Sequence, residues 1–316
     1  MEVSKPFVHL SVMKEVAPKE LVHHVDGIYV DATFGRGGHS RLILQALSPK
    51  GRLIAFDRDP EAIQAAAGIQ DERFQIIHAP FSRLKDELQA LGVTEVDGVF
   101  MDIGVSSPQI DDATRGFSFR MDGPLDMRMD TTTGMTAAQW LAVAQEREIA
   151  SVIADLGEER FAKKIARAIC QTRTETPLET TQQLAKLVAS VVPANKKDPT
   201  QNPATRTFQA IRIHINSELD ELTQALNGAM DVVKDGGRIA VITFHSLEDR
   251  IVKRFFDRAA HPERAIDPRL PLLPDQLPQP LLKDVHRILP TKEECAENPR
   301  ARSSILRVAT RSRGGQ

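Results

Sequence analysis

Residues 28–57, IYVDATFGRGGHSRLILQALSPKGRLIAFD, decide the fold. Ile28-Tyr29-Val30-Asp31 is a short apolar run that reads as a buried strand. From Ser40 to Leu47 the apolar residues Leu42, Ile43, Ala46 and Leu47 recur at helical spacing, and Arg52–Asp57 is apolar again. Between the first strand and its helix lies Gly35-Arg36-Gly37-Gly38. Glycine has no side chain to intervene, so such a loop turns tightly and approaches a ligand closely. Strand, glycine loop, helix and strand make one βαβ unit.

The alternation continues outward. Pro60–Ala67 reads as a helix with proline in its first turn. Phe74–His78 is a third strand, Arg83–Leu91 a third helix and Val96–Asp102 a fourth strand. Strands separated by single helices predict a mostly parallel sheet with ligands at the carboxyl ends of its strands. Three of those ends carry an acid: Asp31, Asp57 and Asp102. Asp57, ending the second strand, stands where a carboxylate accepts bonds from both hydroxyls of a ribose. The glycines read GxGG and not the GxGxxG of a dinucleotide site. Asp31 stands where it can hold the amino group of a methionine moiety. These details favour S-adenosyl-L-methionine over a nicotinamide cofactor and weaken the reading as a dehydrogenase.

After the fourth strand the pattern changes. Residues 108–135 read as a long loop, and 136–192 as helical throughout, with Phe161, Ile165 and Ile169 on one face. Residues 193–205 form a polar connection with three prolines. One long helix is expected next, its apolar stripe running Phe208, Ile211, Ile215, Leu219, Leu222, Leu226, Met230 and Val233. Asp235-Gly236-Gly237 would end it, Arg238–His245 would be a strand and Leu247–Ala259 a helix. Residues 262–290, rich in proline, read as a surface excursion, and 303–309 as the last strand. The economical organisation is an α/β core over 1–111 and 215–316 interrupted by an all-helical insert over 112–214.

At DIGVSSPQ, residues 102–109, the sequence resembles the MraW/RsmH family of bacterial 16S ribosomal RNA cytosine-N4 methyltransferases. The resemblance also rests on DATFGRGGHS (31–40), FDRDPEAI (56–63), RGFSFRMDGPLDMRM (115–129), GEERFAKKIARAI (157–169), NPATRTFQAIRI (202–213), FHSLEDRIVK (244–253) and ENPRARSSILR (297–307). The run at 115–129 departs from the family's RGFSFMRDGPLDMRM by a swap of Met and Arg at 120–121. The resemblance implies a Rossmann-like class I S-adenosylmethionine-dependent methyltransferase sheet. It implies a cofactor pocket from Gly37, Gly38, His39, Asp57, Phe81, Asp102 and Gln109, to which the residues themselves add Asp31 and Gly35. It further implies methyl transfer to a cytosine in the decoding region of the small ribosomal subunit, with the insert helping to recognise the RNA.

The lone pair of a cytosine N4 amine is delocalised into the ring, so a catalyst must orient the amine and accept hydrogen bonds from its N–H groups. Asp102, Ser106, Ser107 and Pro108 are the expected reaction centre. Amino methyltransferases often place an aromatic residue in this turn; Phe117 and Phe119 are the substitutes here, with loop packing as their alternative role. Neither cysteine, Cys170 or Cys295, lies near a motif, which opposes C5 methylation through a thiol adduct.

RNA contact is expected from Arg115, Arg120 and Arg128 in the loop, from Lys196, Lys197 and Arg206 near the insert's end, and from Arg300 and Arg302. The last two belong to an acid-free stretch, 298–316, holding five arginines in a chain of net charge −2. For that stretch, and for the helical group Arg160, Lys163, Lys164 and Arg167, solvation is the competing role. The chain is 41% hydrophobic and 27% charged, ordinary for a globular protein, with no apolar run of membrane-spanning length. No secretory signal is visible, the two distant cysteines read as reduced thiols, and the histidine spacing suggests no metal site. A cytoplasmic enzyme is expected. A protein or small-molecule methyl acceptor, or a noncatalytic RNA-assembly factor, are the other readings.

Overall fold

A computed structural model describes residues 11–193, 202–267, 269, 270, 273 and 276–313. The chain forms two compact units, one of residues 1–104 with 219–316, the other of residues 105–218.

The first unit carries a seven-stranded sheet. Helix α1 (Val16–Leu21) precedes β1 (Ile28–Asp31), α2 (Gly38–Ala46), β2 (Arg52–Asp57), α3 (Pro60–Ala66), β3 (Phe74–His78), α4 (Leu84–Ala90) and β4 (Val96–Asp102). The strand order is β3-β2-β1-β4-β5-β7-β6. Strands β1 to β5 run parallel, and β7 inserts antiparallel beside β5. This is a Rossmann-like, doubly wound α/β sheet with one antiparallel strand inserted beside β5. Chain order reverses at β1, which pairs with both β2 and β4, and the crevice beyond such a switch point is where ligands bind.

Both faces of the central strands are covered, so they read as continuous apolar runs rather than alternating ones. Val30, Ile54, Phe56, Val99 and Met101 feed one core with Leu222 and Leu226, while Tyr29, Leu53 and Phe100 feed the opposite one with Ile43 and Leu306.

The second unit begins with the short helix α5 (Ser107–Asp111), where a loop was expected. Helices α6 (Ala137–Val143), α7 (Glu146–Gly157), α8 (Ala162–Thr172), α9 (Thr181–Val191) and α10 (Thr205–Ile215) follow. Trp140, Ile149, Ile153, Ile165, Ile169, Leu184 and Ile211 form its own core, with Phe161 packed at the side.

The expected long helix over 208–233 is two helices, α10 and α11 (Glu218–Val232). The break has a local cause. Buried Asn216 donates to the Met127 and Arg212 carbonyls at 2.7 and 2.9 Å and accepts from the Met129 N–H at 2.7 Å. Ser217 then turns into the left-handed region at φ 50°. The stripe hid this break because the spacing stays in phase while Ile211 and Leu222 feed different cores.

Strand β5 (Val233–Thr243) begins earlier than expected. Its pairing with β4 shifts register between Val96 and Gly98, which accommodates Asp235-Gly236-Gly237. After α12 (Ser246–Ala260), part of the expected surface excursion is strand β6 (Leu282–Ile288) at the sheet edge. Its middle five residues are exposed, so no apolar alternation marks it. Helix α13 (Lys292–Glu297) and β7 (Ile305–Arg311) complete the unit. Among the described residues no helix is long and apolar enough to cross a membrane, and no cluster of three or more His, Cys, Asp or Glu could hold a metal ion.

Candidate active site

The carboxyl edge of β1, β2 and β4 gathers the three strand-end acids. Asp31 pairs in register with Ala55 of β2 and Phe100 of β4, so Asp57 and Asp102 each project one strand repeat further. Asp31 is completely buried. Its Oδ2 accepts from the Ser40 hydroxyl at 2.6 Å and its Oδ1 from the Thr33 N–H at 3.1 Å. Asp57 accepts from the Gly35 N–H at 2.7 Å and the Asp59 N–H at 2.8 Å. One carboxylate thereby fixes the glycine loop and the start of α3 together. Thr33 adds a second tie, its Oγ1 accepting from the Asp102 N–H at 2.6 Å.

The loop turns where the glycines allow it. Gly35 and Gly37 have φ of 57° and 74°. A Cβ on Gly35 would meet nothing within 4 Å, so that face is open to a ligand. Gly38 lies under Ser11, whose Oγ would stand 1.9 Å from an added Cβ. His39, in the first turn of α2, is buried. Its Nε2 lies 2.8 Å from the Val12 carbonyl and its Nδ1 3.4 Å from Asp102 Oδ2. Its ring packs on Phe100 with centroids 4.7 Å apart. Phe81 is half-buried where the chain leaves β3 for α4.

Burial pushes the carboxyls of Asp31 and Asp57 up to about 6. Asp102 lies well above the usual carboxylate range, through burial first and then through the charges of Asp31 and Glu248. Its Oδ1 is buried without a partner. Burial thus raises Asp31, Asp57 and Asp102 together, and a cationic ligand would relieve that. Together with the open glycine face and the orphan Asp102 oxygen, this fits a ligand carrying an ammonium, a ribose and a sulfonium.

Sequence reasoning passed over Glu248. It is wholly buried in the first turn of α12, with Oε2 accepting from the Phe244 N–H at 2.9 Å and Oε1 lying 2.9 Å from His245 Nε2. The run FHSLED held the signal, an acid three residues after the helix cap. Thr33 and Ser40 lay inside the quoted glycine stretch; the Ser40 hydroxyl donates to Asp31, and the Thr33 hydroxyl accepts from the Asp102 N–H.

In the second unit, Ser106 caps α5. Its Oγ accepts from the Gln109 N–H at 3.4 Å, and Gln109 Oε1 accepts from the Ser106 N–H at 2.9 Å. Ser107 and Pro108 form the first turn. Phe119 packs edge-on against Phe208 at 4.8 Å, a core contact, whereas Phe117 is half-buried beside Arg115.

The expected RNA cations divide. Arg115 is buried and donates to the Arg128 and Met129 carbonyls at 3.1 and 3.0 Å. Arg128 makes a two-pronged pair with Asp126, both bonds at 2.8 Å. These two hold their own loop. Arg120, Arg206 and Arg302 are exposed, Arg206 with one bond to the Glu158 carbonyl, and Arg300 is half-buried. Lys196 and Lys197 lie outside the described residues. Of the C-terminal arginines, Arg307 pairs with Asp249 through two bonds and Arg311 donates to the Met230 and Leu281 carbonyls.

The model of the MraW methylase family matches residues 6–312. The chain belongs to the MraW methylase family. It is similar to two proteins named ribosomal RNA small subunit methyltransferase H. The one from Ralstonia nicotianae is 55% identical over 96% of this chain and 97% of its own length; the one from Burkholderia cenocepacia is 54% identical over the same shares. Among solved structures, a chain described as a putative rRNA-methylase from Clostridium thermocellum is 12% identical, covers 96% of this chain and 94% of its own, and has a TM-score of 0.43. By family, then, the chain is a methylase.

Proposed function

We propose that this methylase transfers a methyl group from S-adenosyl-L-methionine to the N4 amine of a cytosine in 16S ribosomal RNA, in the decoding region of the small subunit. Relatives named for small-subunit ribosomal RNA methylation, at 54–55% identity over 96% of the chain, carry the substrate class. The orphan Asp102 Oδ1 at the end of β4 supports the amine as acceptor. Cys170 and Cys295 both pack half-buried beside hydrophobic cores, so neither supports a thiol-adduct route to C5.

The cofactor supplies an electrophilic methyl on a sulfonium sulfur. Asp57 would hold the ribose hydroxyls, and Asp31, completely buried and bonded by Ser40 and Thr33, would favour the ammonium through its charge, while the open face of Gly35 would let the backbone approach the ligand and Gly37 and Gly38 shape the loop. His39 and Phe81 complete the pocket on the sheet unit, and the sequence resemblance alone adds Gln109. Asp102 accepts a hydrogen bond from the amine N–H, which pulls nitrogen toward the tetrahedral geometry it needs as positive charge develops. Ser106 and Ser107 would orient the amine through their hydroxyls, with Pro108 fixing the turn, because the Ser106 and Pro108 carbonyls already accept from the Ile110 and Asp112 N–H groups. The target base is flipped out of its stack to be reached. The helical insert, residues 112–214, grips the phosphate backbone through Arg120, Lys196, Lys197 and Arg206, and Arg300 and Arg302 of the sheet unit contact the RNA as well. The partner is 16S ribosomal RNA or the small subunit, in the cytoplasm.

Methyl transfer from labelled cofactor to small-subunit RNA, followed by nucleoside mass spectrometry, tests the reading. N4-methylcytidine supports it. Label on another nucleoside, or on protein alone, overturns it.

A further inference from the structure

The amine loses a proton as it is methylated, and some group must take it. A carbonyl oxygen only accepts, so the 2.8 Å contact to Val12 O fixes a proton on His39 Nε2. The other ring nitrogen then faces Asp102 Oδ2 at 3.4 Å. Two lone pairs would repel there, so one proton lies between them, on either the carboxyl or the ring. Both groups are largely out of water, at 6% and 24% side-chain exposure. The opposite oxygen, Oδ1, is the one without a partner.

We propose that His39 is a positioning residue which, through Asp102, takes up the proton released by the methylated amine. This rests on the amine-methylation reading above. The N4 lone pair forms the new N–C bond, and the electrons of the broken C–S bond stay on sulfur. The cationic nitrogen gives its proton to Asp102 Oδ1, while the proton facing Oδ2 settles on His39 Nδ1. The pair goes from neutral to singly positive as the sulfonium charge disappears, so the charge of the site is constant through the step. The proton leaves to solvent when products dissociate.

The groups facing the pair fit this role. Asp102 feels the like charges of Asp31 and Glu248, and both stabilise an added proton. Among the described residues, the Val12 carbonyl and the Phe100 ring lie against His39, and neither can take a proton from it.

The charge exchange can be measured without RNA. Proton uptake is read by calorimetry in buffers of different ionisation enthalpy, for S-adenosylmethionine and for S-adenosylhomocysteine. With the sulfonium present the pair refuses the second proton; with the neutral thioether it accepts. The wild-type protein should bind up to about one more proton with S-adenosylhomocysteine. The difference should vanish in His39→Gln and in Asp102→Asn, each first shown to melt cooperatively. With RNA at saturating cofactor, His39→Gln should lower kcat roughly tenfold or more with little change in KM, and shift the pH profile. Equal proton counts for the two ligands in the wild-type protein, or a difference that survives in His39→Gln, overturns the proposal. A protein that shows the proton difference but methylates no cytosine leaves the pair standing and removes the acceptor assignment instead.

Discussion

Replacing Asp31 with asparagine should stabilise the ligand-free protein while weakening its hold on the cofactor. Asp31 is fully buried, and burial raises its carboxyl from 3.8 to about 6. About two pKa units at about 1.4 kcal/mol each put the cost of ionising it in the fold near 3 kcal/mol. The sign follows from linkage. An acid whose folded pKa exceeds its unfolded one binds protons more tightly in the fold, so stability falls as pH rises between about 4 and 6 and stays low above. Asparagine removes that cost without losing the bonds. Its Oδ1 keeps the Thr33 N–H, and its Nδ2 donates to the Ser40 hydroxyl, which turns from donor to acceptor. At roughly 2–4 °C per kcal/mol, Asp31→Asn should melt about 6–12 °C higher near neutral pH and about equally with the wild type near pH 4. Cofactor affinity should fall roughly tenfold, since the ammonium loses a charged partner. A lower melting temperature at neutral pH would refute the reasoning, because Asp31 would then be a stabilising charge.

Asp57→Ala should weaken cofactor binding at least roughly tenfold, as bonds to a charged acceptor are worth about 1.5–3 kcal/mol each; an unchanged titration would remove Asp57 from the ribose site. Gly37→Ala should cost about 1–2 kcal/mol from its left-handed backbone alone. The new Cβ would also lie 2.7 Å from Phe34 ring atoms, so an unshifted melting curve would contradict the loop geometry. Replacing exposed Arg120, Arg206 and Arg302 by alanine should weaken RNA binding and flatten its dependence on log salt by roughly 2, at about 0.7–0.9 per phosphate contact, with cofactor affinity unchanged. A wild-type salt slope would move the RNA surface elsewhere.

The central sheet was legible because β1, β2 and β4 are buried on both faces, so their runs are mostly apolar, with polar residues near the ends. The same logic explains the failure at β6, an exposed edge strand whose residues need no pattern. The break at Asn216 was invisible because it depends on the Met127 carbonyl and the Met129 N–H, far away in sequence. The three strand-end acids could be found from position alone. Their partners could not: the Val12 carbonyl facing His39 is a backbone group, and Glu248 reaches the neighbourhood of Asp102 only because β5 lies beside β4. Charge was the least legible property. Arg115 and Arg128 looked like phosphate contacts, yet their guanidinium groups hold a loop together. A basic residue in a sequence shows its charge but not whether a neighbour already holds it.

The most direct test of the account follows small-subunit ribosomal RNA from cells lacking this protein, complemented with wild type or with Asp102→Ala. Nucleosides are quantified by mass spectrometry, and cofactor binding by the variant is measured alongside so that turnover is compared at saturation. The account predicts that N4-methylated cytidine returns with the wild type and is absent with Asp102→Ala, while other modified nucleosides are unchanged. Full restoration of N4-methylated cytidine by Asp102→Ala would contradict the assigned reaction centre, and an unaltered nucleoside profile in the deletion would contradict the assigned reaction.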